Sequence, residues 1–257
     1  MKTIGIIGGM GPEATAAFYM EIVRIFQRRF NARHDADYPA IIIHSLPAPD
    51  VVERMEDEER LVVMLRDAVK KLENGGADFF VMACNSVQKY LPVMGREVSI
   101  PYLDLNKELA RAVLERGYGE VCILGSEATL KDGLLEQSCR EKGVSVVTPS
   151  ETERATLTKV IMNILSGNAY TEARRDLLKI ISKMRSRGIQ AVVLACTDLR
   201  LVVGEEEAVL PLVDSVEVLA EATVEAAVEW QRHKHSDEHT HKLHPPKGVI
   251  QCSNGDQ

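Results

Sequence analysis

Two tripeptides hold the chemistry this sequence offers: Cys84-Asn85-Ser86 and Cys196-Thr197-Asp198. Each follows an apolar run, "DFFVMA" and "AVVLA". Each cysteine is followed by small polar residues that core packing would not select. At a strand end leading into a helix N-terminus, N–H groups and the helix dipole favour a thiolate. Two thiols facing each other, one ionised and one not, suit one reaction in particular. They can take a proton from one face of a stereogenic carbon and return a proton to the other. The remaining cysteines read as inert. Cys122 lies inside an apolar strand and Cys139 in a helical stretch, both expected in the core, and Cys252 sits in a polar tail.

The elements that must position these groups follow from the hydrophobic pattern. Short β-branched runs ("TIGII", "AIIIH", "DFFVMA", "EVCIL", "AVVLA") alternate with helical patterns over Glu13–Phe30, Asp57–Leu72, Asn106–Glu115, Thr152–Leu165 and Thr171–Arg187. Strands apolar throughout and separated by helices indicate an α/β fold with parallel sheets covered on both faces. The chain also repeats itself. "TIGIIGGMGPEAT" matches "EVCILGSEAT", "GADFFVMACNS" matches "GIQAVVLACTD", and "IPYLD" matches "LPLVD", in the same order. The reading is two pseudosymmetric Rossmann-like domains, residues 1–103 with 211–230 and residues 104–210. The helices after Asp104 and Asp214 each cross to the other domain. Ligands of such sheets sit beyond the carboxyl ends of the strands. Cys84 and Cys196 are therefore expected to face each other across the cleft between the domains, with the loops Gly8–Thr15 and Gly125–Thr129 beside them.

Gly9, Gly11 and Ala14 form a G-x-G-x-x-A loop between a strand and a helix, the form of a dinucleotide site. Such a site wants an acidic residue at the end of the second strand. Here that strand ends in His44-Ser45 and comes too late, so the loop reads as a cradle for a small anion. Pro12 is then the first residue of the next helix.

Composition sets the outer limits. The 257 residues are 45% hydrophobic and 27% charged with a net charge of −7, which favours neither nucleic acid nor an anionic membrane as partner. No stretch reads as a membrane span or a signal peptide, and five cysteines without a C-x-x-C pair fit a reducing cytoplasm. Residues 231–257 form a polar tail holding five of the seven histidines. It reads as solvated and disordered, with no more than adventitious metal affinity, and no metal site is expected elsewhere.

Taken together, the motifs resemble those of the cofactor-independent aspartate/glutamate racemases. The likeness spans roughly residues 2–230 and includes "GGMGPEAT", the "CNS" and "CTD" motifs where that family usually shows C-N-T and C-T-E, and "LPLVD". The resemblance implies a two-domain fold, commonly a homodimer, with Cys84 and Cys196 as proton carriers and no pyridoxal phosphate. It places Met10, Asn85, Ser86, Ser126, Thr129 and Thr197 around the carboxylate and amine of a small amino-acid substrate. The chain also departs from the pattern. Members selective for acidic side chains show Arg after a Pro-Asp pair and Lys before a Gly-Asn, where this sequence has Val51 and Leu165. Arg54 and His44 are the nearest alternative cations, Gln88 stands for a common His, and Asp198 shortens a Glu. The reading is a racemase acting on aspartate/glutamate or, more broadly, on neutral amino acids. The alternatives are a hydantoin racemase, a maleate- or malonate-type isomerase or decarboxylase, and an inactive ligand-binding relative.

Overall fold

The computed structural model describes residues 1–49, 57–167 and 169–240, with the backbone alone over 229–240. In chain order the first half runs β1 (Ile4–Gly8), α1 (Pro12–Phe30), β2 (Ile41–Ser45), α2 (Glu58–Asn74), β3 (Phe79–Met82), α3 (Leu91–Met94) and α4 (Leu105–Glu115). The second half runs β4 (Glu120–Gly125), α5 (Glu127–Asp132), α6 (Leu134–Glu141), β5 (Ser145–Val147), α7 (Glu151–Leu165), α8 (Tyr170–Ser186), β6 (Ala191–Ala195), β7 (Leu212–Asp214) and α9 (Ser215–Thr240).

All strand pairs are parallel, in the orders β2-β1-β3 and β5-β4-β6-β7. The sequence repeat is thus a structural one. β1 and β4 are the central strands, and β3 and β6 carry the cysteine motifs at their ends. An isolated bridge from Phe80 to Tyr102 in the first half corresponds to β7 in the second. β7 pairs with β6, so residues 212–214 lie in the second sheet, whereas a boundary at 210/211 assigns them to the first domain. The crossover comes one step later, at Asp214. Asp104 and Asp214 both cap the helix that follows. Asp104 accepts from the Asn106 and Lys107 N–H groups, and Asp214 from those of Val216 and Glu217. Helix α4 then packs on α6 of the second half, and α9 packs on α1 of the first.

This exchange explains how the core is laid out. One apolar cluster fills the space between the two sheets, with Phe18 and Ile22 of α1, Leu105 and Leu109 of α4, Leu219 of α9, and inward residues of both sheets such as Ile6 and Ile123. Two further clusters cover the outer faces, under α2 in the first half and under α7 and α8 in the second. Each fully buried large side chain contributes roughly 1.5–3 kcal/mol, so the shared cluster holds the halves, and with them the facing strand ends, in a fixed relation. Cys122 and Cys139 are buried within these clusters. Helix α9 continues to Thr240, into the stretch expected as tail. No Pro or Gly interrupts residues 231–240, and the first breakers are Pro245 and Pro246. Residues 241–257 lie outside the described residues. No helix among the described residues is long and apolar enough to cross a membrane.

Candidate active site

The carboxyl ends of β1, β3 and β6 converge on a cavity of about 180 Å³. It is lined by Gly9, Met10, Gly11, Pro12, Ala48, Pro49, Cys84, Asn85, Ser86, Leu165, Cys196, Thr197 and Asp198. Both candidate cysteines therefore border one space, together with Met10, Asn85, Ser86 and Thr197. Ser126 and Thr129 do not line it. Each is buried behind Ser86, whose Oγ is 2.8 Å from Ser126 Oγ and 3.5 Å from Thr129 Oγ1. Ser126 is the cap of α5 and accepts from the Thr129 N–H. The fourth strand-end loop thus holds Ser86 from behind, and the other three loops line the cavity.

The glycine loop earns its composition from close approach. Gly9 has φ +89°, and a Cβ there would run into the backbone of Leu46. A Cβ on Gly11 would stand 3.2 Å from Asp198 Oδ1 and 3.2 Å from Leu165 Cδ2, so glycine keeps that corner of the cavity open. Thr15 braces the loop by accepting from the Gly9 N–H at 2.9 Å and donating to the Gly11 carbonyl at 2.8 Å. Pro12 opens α1, where its missing N–H costs nothing.

Each cysteine loop is anchored from behind. Gln88 donates through Nε2 to the carbonyls of Met82 (2.9 Å) and Cys84 (3.0 Å), and its Oε1 accepts from the Leu105 N–H at 3.3 Å. It ties the end of β3 to the start of α4. On the other side, Arg200 follows the Cys196 loop and reaches Glu21 of α1 and Asp214 of β7, each at 3.4 Å. Burial lifts the Glu21 carboxyl, but Arg28, Arg200 and Arg24 override this and hold it below its ordinary value.

The thiols differ from the sequence expectation. Residues after Cys84 form a 3-10 turn, Asn85–Tyr90, and offer no long helix dipole. Burial pushes the Cys84 thiol up to about 11. The Ser86 and Val87 N–H groups and the Ser86 hydroxyl oppose this, and the Asp198 charge reinforces it. Cys196 is raised well above its ordinary value by burial, then by Asp198 and Cys84. Burial wins over the strand-end N–H groups, and the resting cleft holds two neutral thiols.

Asp198, which the sequence marks only as a shortened Glu, also lines the cavity. It is 4% exposed, its Oδ2 accepts from Cys196 Sγ at 3.7 Å, and its Oδ1 has no partner. Its carboxyl is raised to about 6 by burial and by Glu13, against the pull of Cys196. Asn85, 2% exposed, also leaves both Oδ1 and Nδ2 unpartnered. An acidic residue directly after a strand-end Cys-Thr was the available signal. Among the described residues no Lys or Arg lines the cavity, and no three His, Cys, Asp or Glu side chains gather as a metal site. His44 does not line it either, and Asp50, Val51 and Arg54 lie outside the described residues.

Comparison with known proteins bears on the fold and the family. An aspartate racemase homologue from Pyrococcus horikoshii OT3 superposes with a TM-score of 0.73 at 30% identity, over 88% of this chain and 99% of that one. The aspartate racemase of Picrophilus torridus gives 0.77 at 27% identity, over 90% and 98%. The broad specificity amino-acid racemase RacX of Bacillus subtilis (strain 168) is 27% identical over 228 residues, 89% of this chain and 99% of its own length. Residues 7–223 match the profile of the Asp/Glu/Hydantoin racemases, and the chain belongs to that family.

Proposed function

We propose that this protein is an amino-acid racemase that exchanges the Cα proton between Cys84 and Cys196, without pyridoxal phosphate, on substrates with uncharged side chains. The observation that carries the reading is that two buried thiols, from equivalent strand ends of two like sheets, border one cavity. One cysteine, as thiolate, takes the Cα proton, and the other thiol gives its proton to the opposite face. The product leaves the pair with protonation states exchanged, and the reverse reaction restores them. Asn85 and Ser86 supply polar contacts from the β3 side and Thr197 from the β6 side.

The side-chain preference follows from what surrounds the cavity. Leu165, Ala48 and Pro49 are apolar, and no lining cation among the described residues would meet a distal carboxylate. Burying such a carboxylate unpaired costs several kcal/mol. The broad specificity of the Bacillus subtilis relative supports a permissive pocket. The same reading carries a cytoplasmic homodimer, which light scattering on purified protein and fractionation of cells decide.

The test is deuterium wash-in at Cα for Cys84→Ser and Cys196→Ser with each enantiomer of a panel of neutral and acidic amino acids. Racemisation should fall about 10²–10⁴-fold in each variant. The two should retain exchange with opposite enantiomers, since the surviving thiol works on its own face. Wild-type racemisation by either variant removes the two-thiol reading, and aspartate or glutamate as the best substrate removes the side-chain reading.

A further inference from the structure

Three polar side-chain atoms at the cavity are buried without partners: Asn85 Nδ2, Asn85 Oδ1 and Asp198 Oδ1. A buried unsatisfied group costs about 1–3 kcal/mol, so a cleft that keeps three of them is shaped for a ligand that satisfies them. The set has one donor and two acceptors, and one acceptor belongs to a carboxylate. A ligand carboxylate suits the amide donor, and a ligand ammonium, with its several N–H bonds, suits the acceptors. Those are the two charged ends of a free α-amino acid.

Asp198 is placed for the cationic end. Its Oδ2 is engaged by Cys196, while Oδ1 faces the corner that Gly11 keeps open. The titratable groups that act on it are Glu13 of α1, Tyr170 of α8, Cys84 and Cys196, and Tyr170 is itself bound to Glu13 at 2.7 Å. None of these is a cation. Arg200, two residues further on, is turned to Glu21 and Asp214.

We propose that Asp198 anchors the substrate's α-ammonium, so that the site requires a free amino acid and rejects hydantoins, N-acylated amino acids and acids without an α-nitrogen. The assignment rests on reading the cleft as an amino-acid site and goes beyond it by naming what selects the ligand. It also gives the buried carboxylate an electrostatic task. The Asp198 charge holds both thiols up. An ammonium beside it offsets that charge and favours a thiolate only when substrate is bound. A ligand without the cation leaves the thiols neutral.

Equilibrium dialysis of the protein against a mixture of neutral L- and D-amino acids, and separately against their N-acetyl and α-hydroxy counterparts, reads binding without turnover. Free amino acids should be retained, and the counterparts should bind ~10-fold more weakly or worse. Asp198→Asn should lose free amino acids by a similar factor, and Asp198→Glu, which keeps the carboxylate, should recover them. Retention by the native protein should weaken as pH falls through about 6, where the Asp198 carboxyl becomes neutral. In Asp198→Asn that dependence should vanish. Equal retention of N-acetyl and free amino acids, or an unchanged affinity and pH profile in Asp198→Asn, overturns the assignment and leaves the two-thiol reading standing. Retention that depends on Asp198 in a protein without Cα exchange does the reverse. No retention of any amino acid overturns both.

Discussion

Cys84 in the ligand-free protein should titrate near 11, against 9.0 for an ordinary thiol. Burial is the main cause, because a sulfur anion enclosed by protein loses its water. The N–H groups of Ser86 and Val87 and the Ser86 hydroxyl stabilise that anion, but they do not outweigh burial together with the Asp198 charge. The shift from 9.0 to about 11 corresponds to about a hundredfold less thiolate at any pH of 8 or below. At pH 8 about one tenth of ordinary thiols are ionised, against about one thousandth of Cys84. The assay is iodoacetamide alkylation across pH 7–11, with each cysteine followed by peptide mass spectrometry and the denatured chain as reference. Restricted access scales the whole rate curve, whereas ionisation sets its midpoint, so the midpoint is the quantity to read. Circular dichroism at each pH checks that the fold persists. Replacing Ser86 by Ala removes one stabilising hydroxyl and should move the midpoint further up. A midpoint at or below 9 in the native protein refutes the reasoning. It would mean that the strand-end N–H groups win and that the resting enzyme already holds a thiolate.

Leu165→Lys puts a cation at the wall facing Gly11 and should raise kcat/KM for aspartate and glutamate relative to neutral substrates by ~10-fold or more; an unchanged ratio places the side-chain pocket elsewhere. Gln88→Leu strips partners from the Leu105 N–H and the Met82 and Cys84 carbonyls. It should cost about 1–3 kcal/mol in urea unfolding, and a neutral result would show the clamp to be dispensable. Arg187→Ala removes the cation that meets Glu153 at 2.7 and 3.1 Å and leaves its carboxylate with Ser150 alone. Burial lifts the Glu153 carboxyl, but the Ser150 N–H and Arg187 hold it below its ordinary 4.5. The lost stability should therefore be full above pH 4.5 and fade as pH falls through the lowered value; a Tm loss that does not shrink at low pH contradicts the pairing.

Much of the architecture was legible because it rests on local signals. Apolar runs separated by amphipathic stretches gave strands and helices with bounds close to those observed, for example Asn106–Glu115 against Leu105–Glu115. The repeated Asp104 and Asp214 marked both crossover helices because an aspartate cap acts within three residues of its own position. The cysteine motifs were legible because small polar residues after an apolar strand have few other uses. What stayed hidden depends on contacts distant in sequence. Ser126 and Thr129 serve Ser86 from forty residues away and never reach the cavity. β7 is a three-residue strand whose sheet is decided by which edge is free, and that edge belongs to β6. Asp198 looks like a shortened Glu until Gly11, from a loop at the other end of the chain, is seen against its free oxygen.

The two thiols bring these observations to one point. A pair of acid/base groups raised as far as Cys84 and Cys196 is poorly matched to neutral pH, since catalysis works best with groups that titrate near the working pH. Burial is the larger cause of that mismatch, and the charge of the buried Asp198 adds to it. Its negative charge adds to burial in keeping a proton on each sulfur while the cleft is empty, and among the described residues it is the carboxylate that lines the cavity. On the proposed assignment a zwitterionic substrate supplies a cation and removes the Asp198 share of the shift once the Cα proton is in place. The resting state then has little thiolate for oxidants or stray electrophiles to attack. On that assignment the Asp198 carboxylate contributes to both shielding and activation, and the two separate in Asp198→Asn. That variant should bring the alkylation midpoints of both cysteines down in the empty protein while it weakens the hold on amino acids. Midpoints that stay unmoved would detach Asp198 from the thiols altogether.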